Sequence, residues 1–134
     1  MFTEKERAYL RSQPLARLAT VSPTGQPDGD VVGFELDGDD FIIGSYANLA
    51  GSRKYKNVAA GGDKVALVID SLASLDPMDP VAVKVHGTAS IEQRDGRFGS
   101  MEYIVVRPTT SWSWGVEGPA FVDGRFHPHK TYWS

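Results

Sequence analysis

The stretch VAVKVHGT, Val81 to Thr88, alternates valine with alanine, lysine and histidine before it reaches glycine. Alternation with period two puts Val81, Val83 and Val85 on one face and Ala82, Lys84 and His86 on the other. That is the pattern of a strand with one buried face. Upstream, KVALVID (Lys64 to Asp70) is nearly continuously apolar and suits a buried strand, and LARLATVS (Leu15 to Ser22) reads as another. Ser22-Pro23-Thr24-Gly25 fits a type I turn, with proline second and glycine fourth. A further strand is expected from Asp30 to Leu36, and Asp37-Gly38-Asp39-Asp40 marks a hairpin turn before FIIGSY. SLASLDPMDP, with its two prolines, reads as a loop, and Met101 to Val106 and Thr110 to Trp114 supply the last strands.

Helices are few. Thr3-Glu4-Lys5-Glu6 has the form of a capping box, so a helix is expected from there to about Ser12, stopped by Pro14. A second short helix is expected after Ser52. Six or seven strands joined mostly by short turns favour a mainly β protein, an antiparallel barrel, because closure removes exposed sheet edges. Residues 1–134 are expected to form a single domain, a size that buries roughly 65–70% of the unfolded surface.

Composition narrows the function. The chain is 41% hydrophobic and 23% charged, with 14 glycines, 8 prolines and a formal net charge of −3. A pI near 5.5 argues against a general nucleic-acid binder, so any basic feature is local. There is no cysteine, which excludes disulfides, thiolate catalysis and cysteine-based zinc sites. The N-terminus lacks the apolar centre of a signal peptide and no run is long enough to span a membrane, so a cytoplasmic location is expected.

The local basic feature is SRKYKN, Ser52 to Asn57, three cations in six residues. With Ser52 as N-cap, Tyr55, Val58 and Ala59 share one helix face and Arg53, Lys56 and Asn57 lie opposite. Cations are misplaced at the positive end of a helix dipole, and a bound phosphate would reverse the sign of that interaction. A solvated charged face is the plain alternative. The segment is not a P-loop, and the chain has no GxGxxG fingerprint. Gly61-Gly62 follows the helix and reads as its stop.

Other chemistry is sparse. His127-Pro128-His129 has no evident third ligand, so no metal site is expected, and His86 reads as a surface histidine. No G-x-S-x-G elbow supports a hydrolytic triad. Trp112, Trp114 and Phe121 suit a core, an interface or a stacking wall. No side chain stands out as catalytic, so an enzyme built on this chain would need a cofactor to carry the reaction.

RLATVSPTGQP (Arg17 to Pro27), SRKYKN followed by KVALVID, VHGTASI (Val85 to Ile91) and RPTTSWSWG (Arg107 to Gly115) together resemble the pyridoxamine-phosphate-oxidase-like split β-barrel. Within it they are most similar to the oxidoreductases that use the deazaflavin coenzyme F420. The resemblance implies a homodimer with cofactor sites at the subunit interface and a small-molecule substrate. It implies that Lys54 and Asn57, extended by Ser52 and Arg53, lie at the cofactor phosphate. Ala19, Thr20, Val32, Gly33 and Phe34 would line the ring, with Ser45 and Tyr46 nearby and Trp114 approaching from the other subunit. Three cations plus Arg17 favour the deazaflavin over FMN, the alternative cofactor. A non-enzymatic protein that stores, carries or senses the cofactor remains a third reading.

Overall fold

A computed structural model describes residues 1–134. Helix α1 (Glu4–Ser12) precedes strands β1 (Leu15–Val21), β2 (Pro27–Gly33), β3 (Glu35–Asp37) and β4 (Asp40–Ile43). A 3₁₀ turn (Leu49–Gly51) leads into α2 (Arg53–Ala59). Then come β5 (Lys64–Leu75), β6 (Met78–Gly96), β7 (Gly99–Trp114) and the short β8 (Phe121–Val122), β9 (Arg125–Phe126) and β10 (His129–Tyr132).

The main sheet runs β2-β1-β5-β6-β7-β4-β3, all antiparallel, with β10 added to β7. Its two ends, β2 and β3, are separated in sequence only by Phe34. A sheet whose first and last strands are joined by one residue must curl on itself, and the result is the expected mainly β, antiparallel barrel. Along β1 the burial alternates strictly, with Ala16, Leu18 and Thr20 inside. Leu67 and Ile69 of β5, Val83 and Val85 of β6, and Ile104 and Val106 of β7 meet them in one core. Each of these Leu, Ile and Val side chains contributes roughly 1.5–3 kcal/mol on burial.

Both helix starts follow their expected chemistry. Thr3 and Glu6 form the reciprocal capping box, and the Ser52 hydroxyl accepts from the Tyr55 amide. Helix α1 lays Leu10 into the core beside Phe2, and its buried Glu6 accepts from Ser113 Oγ at 2.5 Å. Gly61-Gly62 ends α2 as expected: Gly61 takes a φ of +99°, and the Gly62 amide reaches back to the Asn57 carbonyl at 2.9 Å. A Cβ on Gly62 would lie 2.6 Å from the Val21 carbonyl oxygen, so only glycine lets α2 seat this close to β1.

Three expectations are corrected. SLASLDPMDP is not a loop but the tip of the β5–β6 hairpin; Pro80 is tolerated there because it sits by a bulge between Leu72 and Ser74, beyond the part of β6 that pairs with β7. The two late strands are one continuous β7, which changes partner from β4 to β10 along its length. The strand expected over Asp30 to Leu36 breaks at Phe34 into β2 and β3. The barrel path holds seven strands, as expected, and the tail adds β8, β9 and β10. No helix is long and apolar enough to cross a membrane.

Candidate functional site

The basic segment forms α2, and α2 docks on β1 and β2 through polar pairs. Lys54 Nζ lies 2.8 Å from Asp30 Oδ2, and the lysine side chain is only 14% exposed. One turn on, Asn57 is buried and its Nδ2 donates to Thr20 Oγ1 at 2.9 Å. Tyr55 extends to Glu102 on β7. Lys54, Asn57 and Val58 therefore make the inward stripe at i, i+3, i+4. The helix-wheel assignment is corrected here: Asn57 faces in, and Ala59, expected to dock, is exposed.

A cleft of about 450 Å³ lies between α2 and the β1–β2 turn, bordered by Ser22, Thr24, Asp28, Arg53 and Asn57. Asn57 Oδ1 is buried without a hydrogen-bond partner. The two ends of the amide are assigned from their bonding, and turning it over would leave Nδ2 bare instead. Either way one polar atom of a buried side chain at the cleft lacks a partner, which costs about 1–3 kcal/mol unless a ligand or water supplies it. Arg53 is exposed and makes no ion pair. A group carrying a phosphate and hydroxyls fits this chemistry: the Arg53 guanidinium suits the anion, and the Asn57 amide suits a hydroxyl. Asp28 opposes the anion, and Lys54 can join only by leaving Asp30.

The other expected residues fall into separate surroundings. Arg17 pairs with Asp70 at 3.2 Å, so it too is engaged within the chain. Ala19 lies on the outer face of the sheet opposite Ala66 of β5. Val32 and Phe34 belong to the core cluster and Thr20 is buried, so these do not present open side chains to a ring. Gly33 is half-buried. Ser45 Oγ accepts from the Ala47 amide, and exposed Tyr46 meets Phe98 edge-to-face at 4.3 Å. Ser52 caps α2. Trp114 is half-buried and packs against Phe126 at 5.3 Å, outside the core.

A second cleft of about 420 Å³ runs over the outer face, along Ala19, Val21, Ala66, His86 and Thr88. His86, read from sequence as an unremarkable surface histidine, forms part of its wall, with its ring edge-to-face on Trp112 at 4.8 Å. Nothing local in VAVKVHGT signals this, because the cleft depends on the pairing of β6 with β5 and β7. The turn residues Arg97 and Phe98 were also missed. Phe98 meets Tyr46, and Arg97 lies over Gly33.

A family profile described as pyridoxamine 5'-phosphate oxidase matches residues 2–113, every element from α1 through nearly all of β7. The chain belongs to the pyridoxamine 5'-phosphate oxidase family. Membership makes it an oxidoreductase by family, and both clefts lie inside the matched region. It is 39% identical over 122 residues to a 5a,11a-dehydrotetracycline/5a,11a-dehydrooxytetracycline reductase of Streptomyces rimosus, covering 87% of this chain and 85% of that one. Among solved structures, a heme binding protein from Mycobacterium smegmatis superposes with a TM-score of 0.70 at 18% identity, over 96% of this chain and 57% of that one. A protein named F420 reductase superposes at 0.56 with 23% identity, over 74% and 90%. These two structures speak to the fold alone.

Proposed function

We propose that this member of the oxidase family is a reductase that moves a hydride between coenzyme F420 and a conjugated small molecule. The observation that carries the reading is the cleft at α2, where the bare amide atom of buried Asn57 and the unpaired Arg53 await a ligand with hydroxyls and a phosphate. The name of the Streptomyces rimosus relative, a reductase of dehydro compounds, supports the direction and suggests a carbon–carbon double bond as the acceptor.

When bound, the deazaflavin supplies the hydride from its C5 atom. The chain's own residues bind and orient. Arg53 holds the phosphate, Asn57 takes a hydroxyl, and Lys54 joins once Asp30 releases it. Ser52 keeps the start of α2 in place. Ala19 and Gly33 leave room for a flat ring because neither carries a side chain beyond a methyl group.

A homodimer belongs to this reading. The outer face of the sheet gathers Ala19, Val21, Val31 and Ala66, and Leu15 and Val31 stay 46% and 58% exposed in the single chain. A face of small and apolar residues, crossed by the Arg17–Asp70 ion pair, suits a second copy, which would bring Trp114 toward the ring of its partner.

FMN is the second reading, and one observation favours it. Arg17 and Lys54 already pair with Asp70 and Asp30, so two of the four cations that weighed for the more anionic deazaflavin are engaged. Parallel titrations with the two cofactors, followed by turnover of the reduced form with enones, test the choice.

A further inference from the structure

A third cavity, of about 480 Å³, opens where the C-terminal turn of α1 meets the β2–β3 junction and the β6–β7 turn. Half-buried Leu36, backed by the buried Leu10 and Phe34, makes an apolar floor, and Arg11, Gln13 and Arg97 stand around it. Arg7, Arg17, Arg94 and Arg107 each pair with a carboxylate, whereas Arg11 and Arg97 do not. Glu35 also borders the cavity, but its Oε2 is occupied by the Arg97 backbone N–H at 2.6 Å. The groove thus offers two open guanidinium groups above an apolar surface, with its one carboxylate tied into the turn.

Its position connects it to the proposed cofactor. A Cβ on Gly33 would lie 4.0 Å from Arg97 Nη1, and the next residue of the same turn, Phe98, packs on Tyr46. The β6–β7 turn therefore spans from the groove to the residues expected around the ring. We infer that this groove takes the substrate, and that the substrate is a flat, largely apolar molecule with an acidic enol or carboxylate at its edge. The apolar floor takes the body, and the planar guanidiniums of Arg11 and Arg97 take the anionic oxygens, often in paired contacts. The inference rests on the reductase reading for the word substrate. The plain alternative is that Arg11 only complements the C-terminal end of the α1 dipole and Arg97 only solvates a turn.

Amide NMR on the full ¹⁵N-labelled chain decides between them, with salicylate as probe and salicylamide as its neutral counterpart. Salicylate is expected to shift the amides of Arg11, Gln13 and Arg97. Arg11→Gln and Arg97→Gln each weaken it about tenfold, Arg97→Lys falls between, and salicylamide binds about tenfold more weakly than salicylate, as loss of a charge-assisted contact implies. Because Arg11 is exposed on a helix, its variant remains informative even if Arg97→Gln fails to fold. Equal binding of salicylate and salicylamide, shifts elsewhere in the protein, or Gln variants that bind like wild type overturn the inference. A parallel titration with coenzyme F420 reads the reductase assignment separately. Cofactor binding that persists in the Gln variants while salicylate binding is lost supports the groove as the substrate side. Failure of the wild type to bind either coenzyme F420 or FMN overturns the reductase reading, and with it the assignment of this groove to a substrate.

Discussion

The Lys54 ammonium lies 2.8 Å from the Asp30 carboxylate, so the best-covered cation of the basic segment already has a partner across the α2–β2 junction. A phosphate at α2 competes with Asp30 for it. Asp30→Asn should therefore tighten cofactor binding several-fold, while the ligand-free stability falls by at most about 1 kcal/mol because the carboxylate is half-exposed. Lys54→Ala should weaken cofactor binding by about 1–3 kcal/mol. Isothermal titration on both variants checks this, and equal weakening in the two would remove the competition.

Thr20 and Asn57 make the buried counterpart of that pair. Thr20→Val keeps the shape but strips the amide of its bonded partner, so chemical denaturation should show a loss of about 1–3 kcal/mol. Cofactor affinity should change little, since Asn57 Oδ1 takes no part in the bond to Thr20. Asn57→Ala should lower both stability and affinity. If Asn57→Ala binds cofactor like wild type, the bare amide atom has no ligand role.

How much of this could be read beforehand depends on the range of each interaction. Thr3 with Glu6, and Ser52 with Tyr55, are contacts within one turn, and their chemistry named both helix starts. The pattern of Leu15 to Ser22 named a strand, and the alternation of Val81 to Thr88 named a strand and its buried face. Asp30 is 24 residues from Lys54, so no local pattern could show that the lysine was engaged. Wheel spacing placed Asn57 on the face of Arg53 and Lys56; the Thr20 hydroxyl that lets it turn inward comes from a strand 37 residues away. The β5–β6 tip was misread because its Asp, Ser and Pro residues have turn composition, whereas pairing between two long strands carried the extended backbone through it. The substrate-side groove lay out of reach for the same reason: its arginines come from α1 and a hairpin turn.

Acid should expose a different network. Arg107, followed by Ser90 and Arg94, holds the Glu92 carboxyl down at about 2 against an ordinary 4.5. A depressed folded pKa contributes stability that is complete above the unfolded value and lost as pH falls from about 4.5 toward 2. Glu92→Gln should be less stable than wild type at neutral pH, and the two should converge in that acid window. Urea midpoints followed from pH 6 to 2 would show it; parallel curves would contradict it.

The outer sheet face predicts its own test. Ala66 sits between Ala19 of β1 and His86 of β6 at the centre of that face. Ala66→Glu should leave each barrel folded but convert a dimer to a monomer in sedimentation at micromolar concentration, and abolish cofactor binding with it. Trp114→Phe should keep the melting temperature, because Trp114 packs on Phe126 rather than in the core, yet reduce cofactor-induced tryptophan quenching. A monomeric wild type that binds cofactor fully contradicts the shared site.

The cofactor titration bears most directly on the central claim. Wild type and Arg53→Gln are each titrated with coenzyme F420 and with FMN, following cofactor absorbance and fluorescence. One deazaflavin is expected per chain, binding at least about tenfold tighter than FMN and weakened about tenfold by Arg53→Gln. Tighter binding of FMN would move the chain to the second reading. Binding of neither, or binding indifferent to Arg53, would contradict the site at α2.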